Sequence, residues 1–232
     1  MREVESRHPA GTIGVLVGSL ARYTALFASL ERVRAPRGTK LMFIEGIEVS
    51  RACNTMVDQM KGDWLWIMGD DHRFEPDILT NLLERNLDIV APLVCRRQPP
   101  FETVLYRKMV ADGAPNEKYA LADLPAGGLL EVDAAGSAGM LVRQRVFAAM
   151  PRPWFEWQRQ TSEDVGFCLA ARAAGFKVHA DLDQTMTHIT TCEIEPVRGA
   201  DGKWRAAANI VGQRAEFSQP EPKISTQLRV AA

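Results

Sequence analysis

Apolar positions along this chain fall into short unbroken runs that alternate with stretches of helical spacing. Thr12 to Val17 is a run closed by Gly18-Ser19, after which Leu20, Tyr23, Leu26, Phe27 and Leu30 mark one face of a helix over Leu20 to Val33. Pro36 to Thr39 reads as a turn, Lys40 to Ile44 as a second strand, and Ser50 to Met60 as a helix with Ala52, Met56 and Met60 along one stripe. The run Trp64-Leu65-Trp66-Ile67-Met68, bounded by Gly69, has the pattern of a strand buried on both faces. Pro76 stands at a favoured first-turn position of a helix through Ile78, Leu79, Leu82 and Leu83, and Leu87 to Val90 returns as a strand. This alternation predicts parallel strands covered by helices.

From Pro92 to about Gly128 turn signals dominate, and the segment reads as a variable excursion. Leu129 to Val132 and Met140 to Val142 are further strand candidates, separated by Gly136-Ser137-Ala138-Gly139. A helix over Glu163 to Ala174 and a strand over Lys177 to Ala180 complete the core pattern, Asp201-Gly202 is a hairpin signal, and a polar tail begins at Ser218. The expected organisation is an extension over 1–11, one α/β domain over 12–192, and a hairpin and tail over 193–232.

At 232 residues the chain is long enough for one large domain. Its 28 basic and 29 acidic residues give no strong electrostatic footprint for nucleic acid or an anionic membrane, and leave room for a local basic patch. No segment reaches the apolar length of a membrane span. The start, with Glu3, Glu5 and Arg7 before a short apolar strand, does not read as a signal peptide, so a cytoplasmic protein is expected. The cysteines, Cys53, Cys95, Cys168 and Cys192, are scattered and read as reduced and structural.

Candidate chemistry gathers where the predicted strands end. Gly18-Ser19 follows the first, Glu45-Gly46 the second and Asp70-Asp71-His72 the third, and right-handed crossovers bring such ends to one crevice. In an extended segment Asp70 and His72 share a side while Asp71 points away, which makes a two-point metal clamp; a polar turn is the competing reading. Glu163 and Asp164 open a helix behind Ser162, where the dipole favours acids and Ser162 is a reasonable cap. One of the two can face the crevice and accept a proton from a hydroxyl. His188 is a lone late histidine, most simply a core or surface residue. The glycines at 11, 14 and 18 match no dinucleotide fingerprint, and no phosphate-binding lysine follows them.

In their order and spacing, Asp70-Asp71-His72, the Gly136 to Gly139 loop, Ser162-Glu163-Asp164 and His188 resemble the GT-A glycosyltransferases, particularly small family-2-like members, over residues 12 to 190. Arg51 and Asn54 match the Arg-Asn element that precedes the metal motif in that group. The resemblance implies a GT-A, Rossmann-like, mostly parallel sheet and a nucleotide-sugar donor, a UDP-sugar being commonest. It also implies a divalent cofactor on Asp70, His72 and His188. Histidine replaces the second aspartate of Asp-x-Asp, and mixed imidazole and carboxylate ligation suits Mn2+ better than Mg2+. By the same resemblance Asp164, with Glu163 in reserve, is the base of an inverting hexosyl-type transfer. Ser19, Glu45, Arg51, Asn54, Asp70, Asp71 and Gly139 then contact the donor.

The acceptor is not legible. Compact phage-borne glycosyltransferases modify nucleic-acid bases, but the neutral charge gives that acceptor no support. The Arg96, Arg97, Arg107 and Lys108 stretch has a solvated loop as its default reading. A metal-dependent phosphoesterase and a non-catalytic nucleotide- or carbohydrate-binding module are the alternative functions.

Overall fold

Trp64 to Met68 becomes the central strand that its apolar run predicts, because both of its faces are covered. Trp64, Trp66 and Met68 join one buried cluster, while Leu65 and Ile67 join the other. The computed structural model describes residues 1–17, 24–97, 100–109, 117–157, 161–189, 193–210 and 213–217. In chain order the principal elements are β1 (Thr12–Val17), α1 (Thr24–Arg32), β2 (Lys40–Glu45), α2 (Val49–Gln59), β3 (Trp64–Gly69), β4 (His72–Arg73), α3 (Ile78–Glu84), β5 (Ile89–Leu93), β6 (Leu129–Val132) and β7 (Met140–Arg143). There follow α4 (Gln144–Ala149), α5 (Glu163–Ala173), β8 (Val178–Thr185), β9 (Thr187–Ile189), β10 (Glu193–Arg198), β11 (Trp204–Ile210) and β12 (Gln213–Phe217).

The central sheet has the order β6-β8-β5-β7-β3-β1-β2. β1 pairs in parallel with β2 and β3, and β5 with β8, whereas β7 runs antiparallel between β3 and β5 and β6 antiparallel at the edge. Five strands therefore share one direction and two oppose it. The sheet is mixed and mostly parallel, with helices on both faces. Leu26 and Leu30 of α1 and Ile78, Leu79, Leu82 and Leu83 of α3 pack on the face bearing Trp64 and Trp66. On the other face lie Cys53, Met56 and Val57 of α2, Phe147 of α4, and Val165, Phe167, Cys168 and Ala171 of α5. Gly14 lets α2 approach β1, since a Cβ there would stand 2.6 Å from Met56 Sδ.

A second, five-stranded sheet has the order β12-β11-β10-β9-β4. Its long strands β10 and β11 form the hairpin signalled by Asp201-Gly202, where Gly202 has φ 75°. At the other end of this sheet β9 and β4 are only three and two residues long. Arg2–Val4 pairs in parallel with Arg34–Pro36, which ties the N-terminal segment to the domain. The Leu87 to Val90 strand is displaced to Ile89–Leu93, and the strand expected over Lys177 to Ala180 continues to Thr185. The excursion after Pro92 carries short strands at Leu105–Lys108 and Glu117–Lys118. The tail from Ser218 and Cys192 lie outside the described residues; Cys53, Cys95 and Cys168 are free and buried. Among the described residues no helix is long and apolar enough to cross a membrane.

Candidate active site

The chain leaves the sheet at Gly69, turns through Asp70 and Asp71, and re-enters extended geometry at His72. That turn corrects the alternation expected for this stretch, which holds only while the backbone is extended. Asp71, rather than pointing away, is the carboxylate that meets the histidines, and Asp70 is buried at 8% exposure outside that trio. Asp71 Oδ1 lies 3.0 Å from His72 Nδ1, and Asp71 Oδ2 lies 3.1 Å from His188 Nε2. The ligand atoms of Asp71, His72 and His188 all lie within 4.8 Å of one another.

Strand pairing supplies the long-range half of this arrangement. His72 of β4 and His188 of β9 are direct partners in an antiparallel ladder, and their rings stack with centroids 4.6 Å apart. The Ile189 amide closes the same corner by donating to the Asp71 carbonyl at 2.7 Å. His188 and His72, which the resemblance pairs as ligands, are thus neighbours, with Asp71 as the third member of the cluster.

Several observations make the trio a fitting divalent-ion site. His188 Nδ1 donates to the Cys95 carbonyl at 3.0 Å, the kind of outer contact that fixes the tautomer of a ligating histidine. Its Nε2 then carries a lone pair toward a carboxylate oxygen at 3.1 Å, a contact that needs either a second proton or a metal ion between them. His72 Nδ1 is 3.3 Å from the Gly69 carbonyl, and its Nε2 is buried without a hydrogen-bond partner. Gly69 leaves the floor open, since a Cβ there would stand 2.6 Å from Asp71 Oδ1 and 3.3 Å from His72 Nδ1. Adjacent ligands of an octahedral ion bound at about 2.1 Å lie about 3 Å apart, close to both Asp71–His separations. Burial raises the Asp71 carboxyl, but hydrogen bonds and charge from His188 and His72 outweigh it and hold the group well below the usual carboxylate range. Arg97 Nη1 adds a further contact to Asp71 Oδ2 at 2.9 Å.

The acid pair of α5 lies at the same sheet edge. Met140 of β7 pairs with Ile67 of β3, so the loop before it sits where β3 ends, and the Ser137 amide of that loop donates to Asp164 Oδ2 at 3.1 Å. Asp164 Oδ1 accepts from the Val165 amide at 2.8 Å and from the Ser162 hydroxyl. Ser162 is thus the N-cap residue by position, yet its hydroxyl serves Asp164 and not the helix amides. Glu163 is buried, at 6% exposure, and burial followed by the charge of Asp164 raises its carboxyl to about 7.

The remaining sequence candidates divide. Ser19 lies outside the described residues. Glu45 is exposed at the end of β2, and Arg51 is exposed in the first turn of α2. Asn54 is a structural clamp. Its Oδ1 accepts from the Trp154 and Phe155 amides at 2.9 and 3.2 Å, and its Nδ2 donates to the Phe155 and Ser50 carbonyls at 2.7 and 2.8 Å, which occupies the whole amide. Gly139 is likewise a packing position. With φ 75° it immediately precedes β7, and a Cβ there would collide with Met186 and Pro92. Of the aromatic run after α4, Phe155 is buried against Phe167 at 4.6 Å, whereas Trp157 is exposed and donates to Glu48 at 2.5 Å. Gly69 and Arg97 were the site residues missed. One was visible only as a strand boundary and the other only as part of an arginine pair.

No protein-family model matches the chain, and no curated protein matches it in sequence. Among solved structures it is similar in fold to A197 from STIV, at a TM-score of 0.55 and 14% identity over 94% of this chain and 98% of that one. The inositol-1-phosphate CTP transferase from T. maritima overlaps 77% of this chain and 88% of its own length, at a TM-score of 0.47 and 12% identity.

Proposed function

We propose that this chain is a divalent-metal-dependent glycosyltransferase that moves a sugar from a nucleotide-diphosphate donor to an acceptor hydroxyl, with inversion. The observation that carries the reading is the Asp71–His72–His188 trio over Gly69, at the carboxyl edge of the parallel strands where α/β sheets bind ligands. The order of the motifs along the chain, with its resemblance to GT-A enzymes, supplies the reaction class.

Asp71, His72 and His188 would hold Mn2+, or Mg2+ less favourably. Such an ion, when bound, neutralises charge on the departing diphosphate. Asp164 receives the acceptor proton: it is half-buried, and its carboxylate is aimed by Ser137, Ser162 and Val165. Glu163 is held beside it in a pocket that favours the neutral form up to about pH 7, which limits like-charge repulsion within the pair. UDP is the first donor nucleotide to test.

The test is thermal stabilisation by nucleotide diphosphates and nucleotide-sugars, each with Mn2+ and with chelator, followed by assay of sugar transfer. A ligand confined to the native state raises its stability. Stabilisation by a nucleotide only when Mn2+ is present, with transfer lost in Asp164→Asn while binding persists, supports the reading. Stabilisation by metal alone, with no response to any nucleotide, would replace it with the phosphoesterase.

A further inference from the structure

The hairpin closed by the Arg96 amide to the Glu102 carbonyl, at 2.8 Å, and the Val104 amide to the Val94 carbonyl, at 3.3 Å, carries two groups onto the metal trio from one side. One is the Cys95 carbonyl, which orients His188. The other is Arg97, whose guanidinium donates to Asp71 Oδ2 at 2.9 Å. That oxygen also faces His188 Nε2, so Arg97 occupies a carboxylate oxygen that a divalent ion held by the trio would use. A second cation on this oxygen would repel the first at close range. About half of the Arg97 side chain is exposed, at 53%, so the guanidinium stands at the mouth of the cluster and not within it.

We infer that Arg97 is a donor-binding residue that exchanges partners: an ion held by the trio displaces its guanidinium from Asp71 Oδ2 and turns it toward the donor's diphosphate. The inference rests on the metal-dependent donor reading above. Charge sets the ligand class. Within the trio and Arg97 alone, a divalent ion and one guanidinium against the Asp71 carboxylate leave an excess of about two positive charges, which a diphosphate neutralises. The guanidinium fork also matches two phosphate oxygens at once, which a solvated loop arginine has no need to do.

The exchange predicts opposite effects on two affinities, which general damage to the hairpin would not produce. In Arg97→Ala and Arg97→Gln, Mn2+ measured by calorimetry should bind three- to tenfold more tightly than in the parent, because a competing cation is gone. Inorganic pyrophosphate and UDP, titrated at saturating Mn2+, should bind at least tenfold more weakly. Arg97→Lys should recover part of the pyrophosphate affinity. Weaker or unchanged Mn2+ binding in the alanine and glutamine variants overturns the exchange, as does unchanged pyrophosphate binding. A parent protein that binds no Mn2+ overturns the metal reading itself, whereas a parent that binds both ligands, with variants weakened in both, sinks only the role of Arg97.

Discussion

Glu163 is a buried carboxyl whose cost to the fold should be readable as a pH dependence. Burial, then Asp164, raises it from an ordinary 4.5 to about 7. A carboxyl raised in the folded state is bound by a proton more tightly there than in the unfolded chain. Its stabilising contribution is therefore complete below about pH 4.5 and is lost as pH climbs through about 7. Above that point an ionised Glu163 costs the protein at most about 3 kcal/mol relative to the neutral form. Glu163→Gln keeps shape and polarity but cannot ionise. Urea unfolding of parent and variant across pH 4.5 to 8.5 should show near-equal stability at the acid end and a variant more stable by about 2 to 3 kcal/mol at the alkaline end. At the alkaline end that difference corresponds to a rise in melting temperature of about 5 to 10 °C for a domain of this size. Asp71, held well below the carboxylate range, stays ionised throughout this window and does not shape the difference. A stability difference that does not change with pH would refute the argument, because it would mean that Glu163 ionises as easily in the fold as in the open chain.

Three further perturbations separate scaffold from site. Gly69→Ala should leave urea stability within about 1 kcal/mol but weaken Mn2+ binding at least tenfold, read by calorimetry, because the new Cβ stands 2.6 Å from Asp71 Oδ1. Asn54→Ala should cost about 2 to 3 kcal/mol in urea unfolding, since it leaves groups of Trp154 and Phe155 without partners, while nucleotide affinity in the folded protein stays unchanged. Arg85→Ala should be costlier, about 3 kcal/mol or more in the same assay, because Arg85 pairs in two-pronged fashion at 2.8 and 3.0 Å with the fully buried Asp181 carboxylate.

The parts of this molecule that follow from local pattern were legible in the sequence. The run Trp64 to Met68 announces a strand with two covered faces, Asp201-Gly202 announces its hairpin, and Ser162-Glu163-Asp164 announces a helix start. The resemblance to GT-A enzymes pairs His72 with His188, but what joins them is a ladder between β4 and β9, two and three residues long. Elements that short carry no periodicity, so their pairing depends on tertiary structure. The same holds for Asp71: alternation would turn it away, and only the turn at Asp70-Asp71 brings it back. Asn54 and Gly139 illustrate the converse case. An amide or a glycine near a crevice invites a ligand contact, yet the backbone of Trp154 and Phe155 uses the first and Met186 with Pro92 fills the second.

The account stands on the Asp71–His72–His188 trio being a metal centre. Titration of the purified protein with Mn2+, followed by the loss of the free-ion electron paramagnetic resonance signal, counts bound ions without any substrate. One ion per chain in the parent, abolished in Asp71→Ala and in His188→Ala but kept in Asp164→Asn, is the predicted result. An undiminished free-ion signal in the parent, or full binding in both Asp71→Ala and His188→Ala, would contradict it and leave the trio as an ion-paired corner between two sheets.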